Sequence, residues 1–335
     1  MKKLFVFALF VLMVLSLIGC GGSQPPAASQ PPADQSAEVE EPAAPGVPEP
    51  PSRKVAWVAS NIANEFTTGM AENAVSVGKE NGWEVTVFNP DTDLSKQISQ
   101  IENAAAQGYA AIIFDPVAYD GMTAVIENVT QNYDIPVITL HGSASAQDLL
   151  TAYVAVDLAK GGELKMEQVA KDLDGKGDIA IMTGTEGQTS AILITSGYER
   201  VLPNFPDINV VFKGSGEWNA GDATPLAENW LSSGKHLDAI VCNNDGMALG
   251  VRAVLQAAGL TGEIKLYGLD ATLEGRNAVR DGSMDATIWV DSHAEFVEAF
   301  KIINAFYAGE PFEKEVLVAP VLVTKANVDE LFPND

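Results

Sequence analysis

Polar side chains collect in this chain immediately after short apolar runs. Ser60, Asn61 and Asn64 follow "VAWVA", Asp115 follows "AIIF", His141 follows "PVITL" and Asp157 follows "AYVAV". Farther on, Asn243, Asn244 and Asp245 follow "AIVC", Asp270 follows "IKLYGL" and Asp291 follows "ATIWV". Carboxylates accept hydrogen bonds and carboxamides accept and donate at once, and together such a set describes the floor of a polar cleft. Asp and Asn also cap helices and close turns, and Asp157 and Asp245 are read as caps or hinge fasteners. Motifs for covalent chemistry are missing: there is no G-x-x-x-x-G-K-[ST] phosphate loop, no G-x-G-x-x-G after the first run, no G-x-S-x-G elbow and no H-E-x-x-H. The glycine-bearing "TGTEGQTS" lacks the phosphate-loop lysine and reads as a loop. Cys242 sits inside an apolar run and reads as packing. Three histidines without a cysteine partner oppose a structural zinc site, and no cofactor is expected. A carboxylate pair placed for glycosidic cleavage depends on spacing in three dimensions and stays open.

The elements that must position these groups are legible as a pattern. Ten β-branched runs read as strands: "VAWVAS", "EVTVFNP", "AIIFDP", "PVITLHG", "AYVAVD", "DIAIMTG", "NVVFKGS", "AIVCNND", "IKLYGLD" and "ATIWVD". Most are separated by stretches with apolar residues three and four apart, such as Met70, Ala74 and Val77 or Ile98, Ile101 and Ala105. Apolar strands joined by amphipathic helices predict parallel sheets covered on both faces, with right-handed crossovers. In such sheets ligands bind beyond the carboxyl ends of the strands, where the polar groups here lie. "QISQIENAAAQGYAAIIFDP" and "LAENWLSSGKHLDAIVCNND" share a layout of helix, glycine-containing turn, strand and terminal acid. That weak repeat predicts two similar α/β lobes rather than one long sheet.

Composition sets outer limits. The chain has 335 residues with 47 % hydrophobic and 7 % aromatic side chains, enough for a substantial core in two domains. Its formal charge of −25 would repel a phosphate backbone, so no nucleic-acid partner is expected. Lys2 and Lys3 precede the apolar stretch from Leu4 to Ile18, which is too short to span a bilayer and reads as a secretory leader. It ends in "LIGC", which resembles the bacterial lipobox, in which the cysteine is lipidated and the chain cut before it. Cys20 is thus the expected lipid-bearing N-terminus, stably anchored by its acyl chains. Residues 21 to 52 are rich in proline with almost no large apolar side chain, and read as an extended tether.

"VAWVASNIANEFTTGMAENA", "GYAAIIFDP", "IPVITLHG", "AVDLAKGGELKMEQVA", "CNNDGMALGVRAVLQAAG" and "YGLDATLEGRNAVRDGSMDATI" together resemble the ribose-type periplasmic sugar-binding proteins, the type I solute-binding components of ABC importers. The resemblance runs from about residue 54 to residue 291 and beyond, with "NNDGMALG" its most specific stretch. Lactose-repressor-type regulators share that fold but need a helix-turn-helix before the first strand, where this chain has the leader and tether. The resemblance implies two doubly wound parallel-sheet lobes joined by a three-stranded hinge and closing on a ligand. The division it implies is residues 1–19 as signal peptide and 20–53 as lipidated cysteine and tether. Residues 54–156 plus about 291–318 would form the N-terminal lobe, and 157–290 plus about 319–335 the C-terminal lobe.

Carried over residue by residue, the resemblance implies ligand contacts from Asn64 and Phe66 in "ANEFT", from Asp115, from Trp218 in "GEWNAGD", from Asn244 and from Asp270. His141 either donates to a ligand hydroxyl or finishes its strand, and Asp291 stands beside Val290, where relatives often have a glutamine. Glu65 and Thr67 replace the usual proline and second aromatic. The departures carry information. Pentose-binding relatives usually have Asp-Arg where this chain has His141-Gly142, and another arginine near the position of Ile194. A pocket without those cations disfavours an acidic ligand and suits a neutral sugar, a polyol or a ligand carrying an amine. The expectation is a monomeric, non-enzymatic binding protein that delivers a small carbohydrate-like ligand to an ABC permease from the outer face of the cytoplasmic membrane or the periplasm. The alternatives are a ligand-presenting component for a chemoreceptor or sensor kinase and, further off, a surface hydrolase on the same frame.

Overall fold

The computed structural model describes residues 49–335; the leader, Cys20 and most of the tether lie outside them. The ten expected strands form, and two more follow, divided between two six-stranded sheets. The first sheet runs in the order β11 (Glu315–Val318), β5 (Ala152–Val156), β4 (Val137–Leu140), β3 (Ala111–Phe114), β1 (Lys54–Val58), β2 (Glu84–Phe88). The second runs β12 (Val321–Thr324), β10 (Ala286–Trp289), β9 (Lys265–Tyr267), β8 (Ala239–Cys242), β6 (Lys176–Thr183), β7 (Asp207–Ser215). The orders correspond strand for strand, and β3 and β8, which carry the weak sequence repeat, occupy the same place in each. The one departure from a parallel arrangement is β12, which pairs antiparallel with β10, whereas β11 pairs parallel with β5. The two strands absent from the sequence reading are the short edge strands "EVLV" and "VLVT", separated only by Ala319 and Pro320. A connection that short leaves no room for a crossover helix, so the chain passes directly from one sheet to the other.

Alternation along each strand feeds two cores. Val55 and Trp57 of β1 pack with Phe296 and Phe300 on one face, while Ala56 and Val58 pack with Ile101, Ile126 and Phe114 on the other. The second sheet is likewise covered on both faces, by helices bearing Met247, Val251 and Val279 on one side and Met166, Ile194 and Tyr198 on the other. Dry packing on both faces is what makes these strands read as continuous apolar runs.

Three segments cross between the sheets. One leads from β5 through Asp157 into α4 (Leu158–Asp172), another from β10 through Val290 and Asp291 into α9 (Ser292–Ala308), and the third from β11 to β12. The first and third are tied together by Asp157 N–H donating to Val318 O at 2.9 Å. Such narrow connections between two separately packed bodies allow hinge motion.

Several strand ends lead into helices capped by the residues that join them. α1 (Glu65–Glu80) is capped by Asn64, α4 by Asp157, α7 (Asp245–Ala258) by Asn244, α8 (Leu273–Asp281) by Thr272 and α9 by Asp291, each side chain accepting from a backbone N–H of the first turn. Many of the polar residues that follow the strands are therefore satisfying helix N-termini.

Candidate functional site

Between the carboxyl ends of the two sheets lies a cavity of about 70 Å³, lined from both lobes. The first lobe contributes Ser60, Asn61, Asn64, Phe66, Asp115 and His141, and the second Gln188, Ser190, Trp218, Asn244 and Asp270. Seven of the eight residues expected around a ligand are thus brought together from positions spread over more than 200 residues of chain.

In the first lobe, Asp115 extends the end of β3 and receives a hydrogen bond from Ser60 Oγ at 2.5 Å. Gly142 lies so close that a Cβ there would stand 2.6 Å from Asp115 Oδ1. Its neighbour His141 has a left-handed backbone, φ 68°, and its Nδ1 lies 3.4 Å from Oε1 of Glu295, a fully buried residue in the first turn of α9. Burial alone would lower the imidazole pKa, but Glu295, Asp115 and Asp270 together carry it up to about 9. Burial raises Asp115 above the usual carboxylate range, against the opposing pull of His141 and Ser60. Phe66 places its ring 5.3 Å from the imidazole and packs on apolar clusters of both lobes.

The second lobe holds its groups differently. Trp218 is left-handed at φ 63°, and its indole lies against Gly184, where a Cβ would collide with the ring. Its Nε1 donates to Gln188 Oε1 and its carbonyl accepts from Asn244 Nδ2 at 3.1 Å. Because Asn244 Oδ1 also caps α7 through Met247 N–H at 2.9 Å, this asparagine holds the tryptophan in place as well as facing the cavity. Asp270 has a backbone φ of 123°, strain of a kind that collects at ligand sites. No side chain among the described residues donates to its carboxylate, and burial followed by the proximity of Asp245 raises its pKa well above normal.

Beneath this wall Asp245 accepts from Thr287 Oγ1 at 2.7 Å and Thr272 N–H at 2.9 Å. It is fully buried and fastens β10 to the start of α8 within the second lobe rather than at a hinge crossing; burial raises it to about 6. Lys165 in α4 is also fully buried, donates to Cys242 O at 2.5 Å and lies over the Tyr198 ring. Burial lowers its pKa to about 7. The Cys242 thiol is packed away and pushed up to about 12 by burial.

Asp291 is the expected pocket residue that does not reach the cavity wall. Its Oδ1 accepts from Ala294 N–H at 3.0 Å as the cap of α9, and it lines a neighbouring opening instead. Residues the sequence reading missed are Gln188, Lys165 and Glu295. Lys165 had a signal, since it falls seven residues after Leu158 and four before Val169 on the apolar stripe of its helix. Glu295 reads in sequence as an ordinary first-turn acid favouring a helix N-terminus, and nothing marks it as inward-facing. Across the mouth, Leu273 N–H donates to Glu65 Oε1 at 2.7 Å, a hydrogen bond between the lobes. Among the described residues no group of three His, Cys, Asp or Glu could hold a metal ion, and no helix is long and apolar enough to cross a membrane.

Two lobes of equal topology joined by three crossings, with a polar cavity floored by strand ends, define a bilobed solute-binding protein. Residues 55–311 match the family described as the periplasmic binding protein domain, and the chain belongs to it. It is 30 % identical over 267 residues to a xylitol-binding protein of Mycolicibacterium smegmatis, covering 79 % of this chain and 76 % of that one. A ribose import binding protein of Bacillus subtilis is 25 % identical over 229 residues, 68 % of this chain and 73 % of its own. Among solved structures, an ABC transporter solute-binding protein from Bacillus halodurans with bound myo-inositol superposes with a TM-score of 0.78 at 30 % identity, over 83 % of this chain and 96 % of that one. These relatives are binding proteins and not enzymes.

Proposed function

We propose that this protein captures a small neutral sugar or polyol between its lobes and delivers it, unaltered, to an ABC permease. The observation that carries this reading is the cavity itself: Asp115 and Asp270 face it from opposite lobes beside the aromatic faces of Phe66 and Trp218, with no arginine in its wall. Carboxylates accept from ligand hydroxyls, each such charged hydrogen bond being worth about 1.5–3 kcal/mol. Aromatic faces cover the apolar C–H surface of a ring or polyol chain. Asn64, Asn244 and His141 complete the contacts, and the ligand favours the closed lobes by binding them more tightly than the open ones. Relatives described as binding xylitol, ribose and myo-inositol support the ligand class. The two lobes move as 54–156 with about 291–318, and 157–290 with about 319–335. The protein acts as a monomer held to the outer face of the cytoplasmic membrane by lipid on Cys20, through the proline-rich tether.

The test is a thermal-shift and calorimetric panel of neutral sugars, polyols, nucleosides, amino acids and sugar acids. A ligand at about 100 times its dissociation constant adds ~2.7 kcal/mol of stability, so a true ligand raises the melting temperature clearly. Strong stabilisation by an acid, with none by sugars or polyols, would refute the reading. The anchor is tested separately: incorporated radiolabelled palmitate should disappear in Cys20→Ala.

A further inference from the structure

Behind His141 in the cavity wall stands a carboxylate, Glu295, that does not itself line the cavity. Glu295 Oε1 is shared: it lies 3.4 Å from His141 Nδ1 and accepts the Val156 N–H at 2.8 Å. Val156 is the last residue of β5 before the first crossing, and Glu295 sits in the turn of α9 that opens directly after the second. Its other oxygen, Oε2, is buried without a hydrogen-bond partner among the described residues. A buried carboxylate with one oxygen unsatisfied destabilises the fold unless an opposite charge compensates, and the imidazole is the cationic group beside it.

We propose that Glu295 is a positioning residue of the binding cleft: it fixes His141 with Nδ1 turned inward and Nε2 left for the ligand, and through the Val156 N–H it ties that side chain to the hinge. With Nδ1 committed, the charged ring offers the cavity a single N–H donor and no acceptor. Asp115 alongside is the opposite, an acceptor only. The pair therefore selects a ligand with adjacent oxygens, one accepting from Nε2 and the next donating to Asp115. The charged and titratable groups around His141 are Glu295 from α9, Asp115 beyond β3 and Asp270 from the second lobe; Glu295 in turn interacts with the Tyr153 hydroxyl of β5, which burial and then Glu295 keep protonated. Phe66, from α1, is neutral. Every charged neighbour is acidic, so a protonated ring is favoured, and Glu295 is the nearest of them.

This inference deepens the proposed function and rests on the same cleft, but one readout is independent of any ligand. The imidazole of His141, assigned by its absence in His141→Gln, is titrated by NMR in the full chain and in Glu295→Gln, which keeps an acceptor for Val156. The midpoint near 9 should fall by about two units in the variant. Affinities for myo-inositol and xylitol are measured in parallel from pH 6 to 10. Glu295→Gln should weaken binding about tenfold at pH 8 and by less than about threefold at pH 6, where the ring is protonated in both proteins. An unmoved midpoint, or a loss of affinity equal at both pH values, overturns the proposal. If Glu295→Gln does not fold, His141→Gln decides: it should abolish the fall in affinity above pH 9, and wild-type affinity that is flat from pH 7 to 10 also overturns the proposal. If no sugar or polyol binds the wild type, the proposed function fails, while the NMR midpoints still decide the role of Glu295.

Discussion

The two lobes share a sheet order and solve the same electrostatic problem in opposite ways. The first places its cation, His141, in the cavity wall and its compensating acid, Glu295, behind. The second places its acid, Asp270, in the wall and its cation, Lys165, behind, against the Cys242 carbonyl. The first wall is held by side-chain hydrogen bonds, from Ser60 to Asp115 and from His141 to Glu295. The second has side-chain hydrogen bonds of its own, from Trp218 to Gln188 and from Asn244 to the Trp218 carbonyl, and positive φ at Glu217, Trp218, Asp270 and Ala271 where the first wall has it at His141. A common topology therefore fixes where groups can stand at the strand ends, not what charge stands there.

The largest expected effect is a difference in how the lobes respond to pH. His141 has a folded pKa of about 9 against 6.5 for the free group, so its stabilisation is complete below pH 6.5 and is lost as pH rises through 9. That amounts to about 3 kcal/mol at most. Lys165 has a folded pKa of about 7 against 10.5. Burying its charged form is a penalty present below pH 7 that is relieved as pH rises toward 10.5, so its slope is positive. Between pH 7 and 9 the two slopes oppose each other, so urea denaturation should show stability rising with pH in His141→Gln and falling in Lys165→Met; unchanged slopes in both would break the comparison.

Ligand affinity comes next. Asp115→Ala and Asp270→Ala should each weaken binding by about tenfold to a hundredfold in calorimetry, the range of one or two charged hydrogen bonds. The second lobe's dependence on backbone space can be tested at Gly184, where alanine would displace the indole. Gly184→Ala and Trp218→Ala should each cost roughly tenfold in affinity, and the double variant little more, because both remove the same wall. Asp291→Ala should leave affinity nearly unchanged and lower folding stability by about 1 kcal/mol, the usual cost of an N-cap. The smallest effect is expected at the mouth, where Glu65→Ala removes the interlobe hydrogen bond to Leu273. Ligand release measured by stopped flow should be about threefold faster, and small-angle scattering should show a slightly more open unliganded protein.

Alternating apolar runs and helical spacing made the parallel α/β architecture and its two lobes readable before any coordinates, since each strand must bury both faces and each helix one. The same logic placed Asp115, Asn244, Asp270 and His141 at strand ends. It did not separate ligand groups from caps, because Asn64, Asp157 and Asp291 satisfy helix N-termini with the same side-chain oxygens a ligand would need. The antiparallel β12 was also hidden, since an edge strand of four residues carries little periodicity.

By itself, then, the amino-acid order determined which segments become strands and helices and which polar residues lie at their ends, because those are decided by neighbours one to four positions away. Only the tertiary structure decided that Glu295 backs His141, that Lys165 backs Cys242 and that Asp115 faces Asp270. Those pairings join residues from about 77 to 155 positions apart, and they depend on how two sheets pack and cross, which no local pattern records.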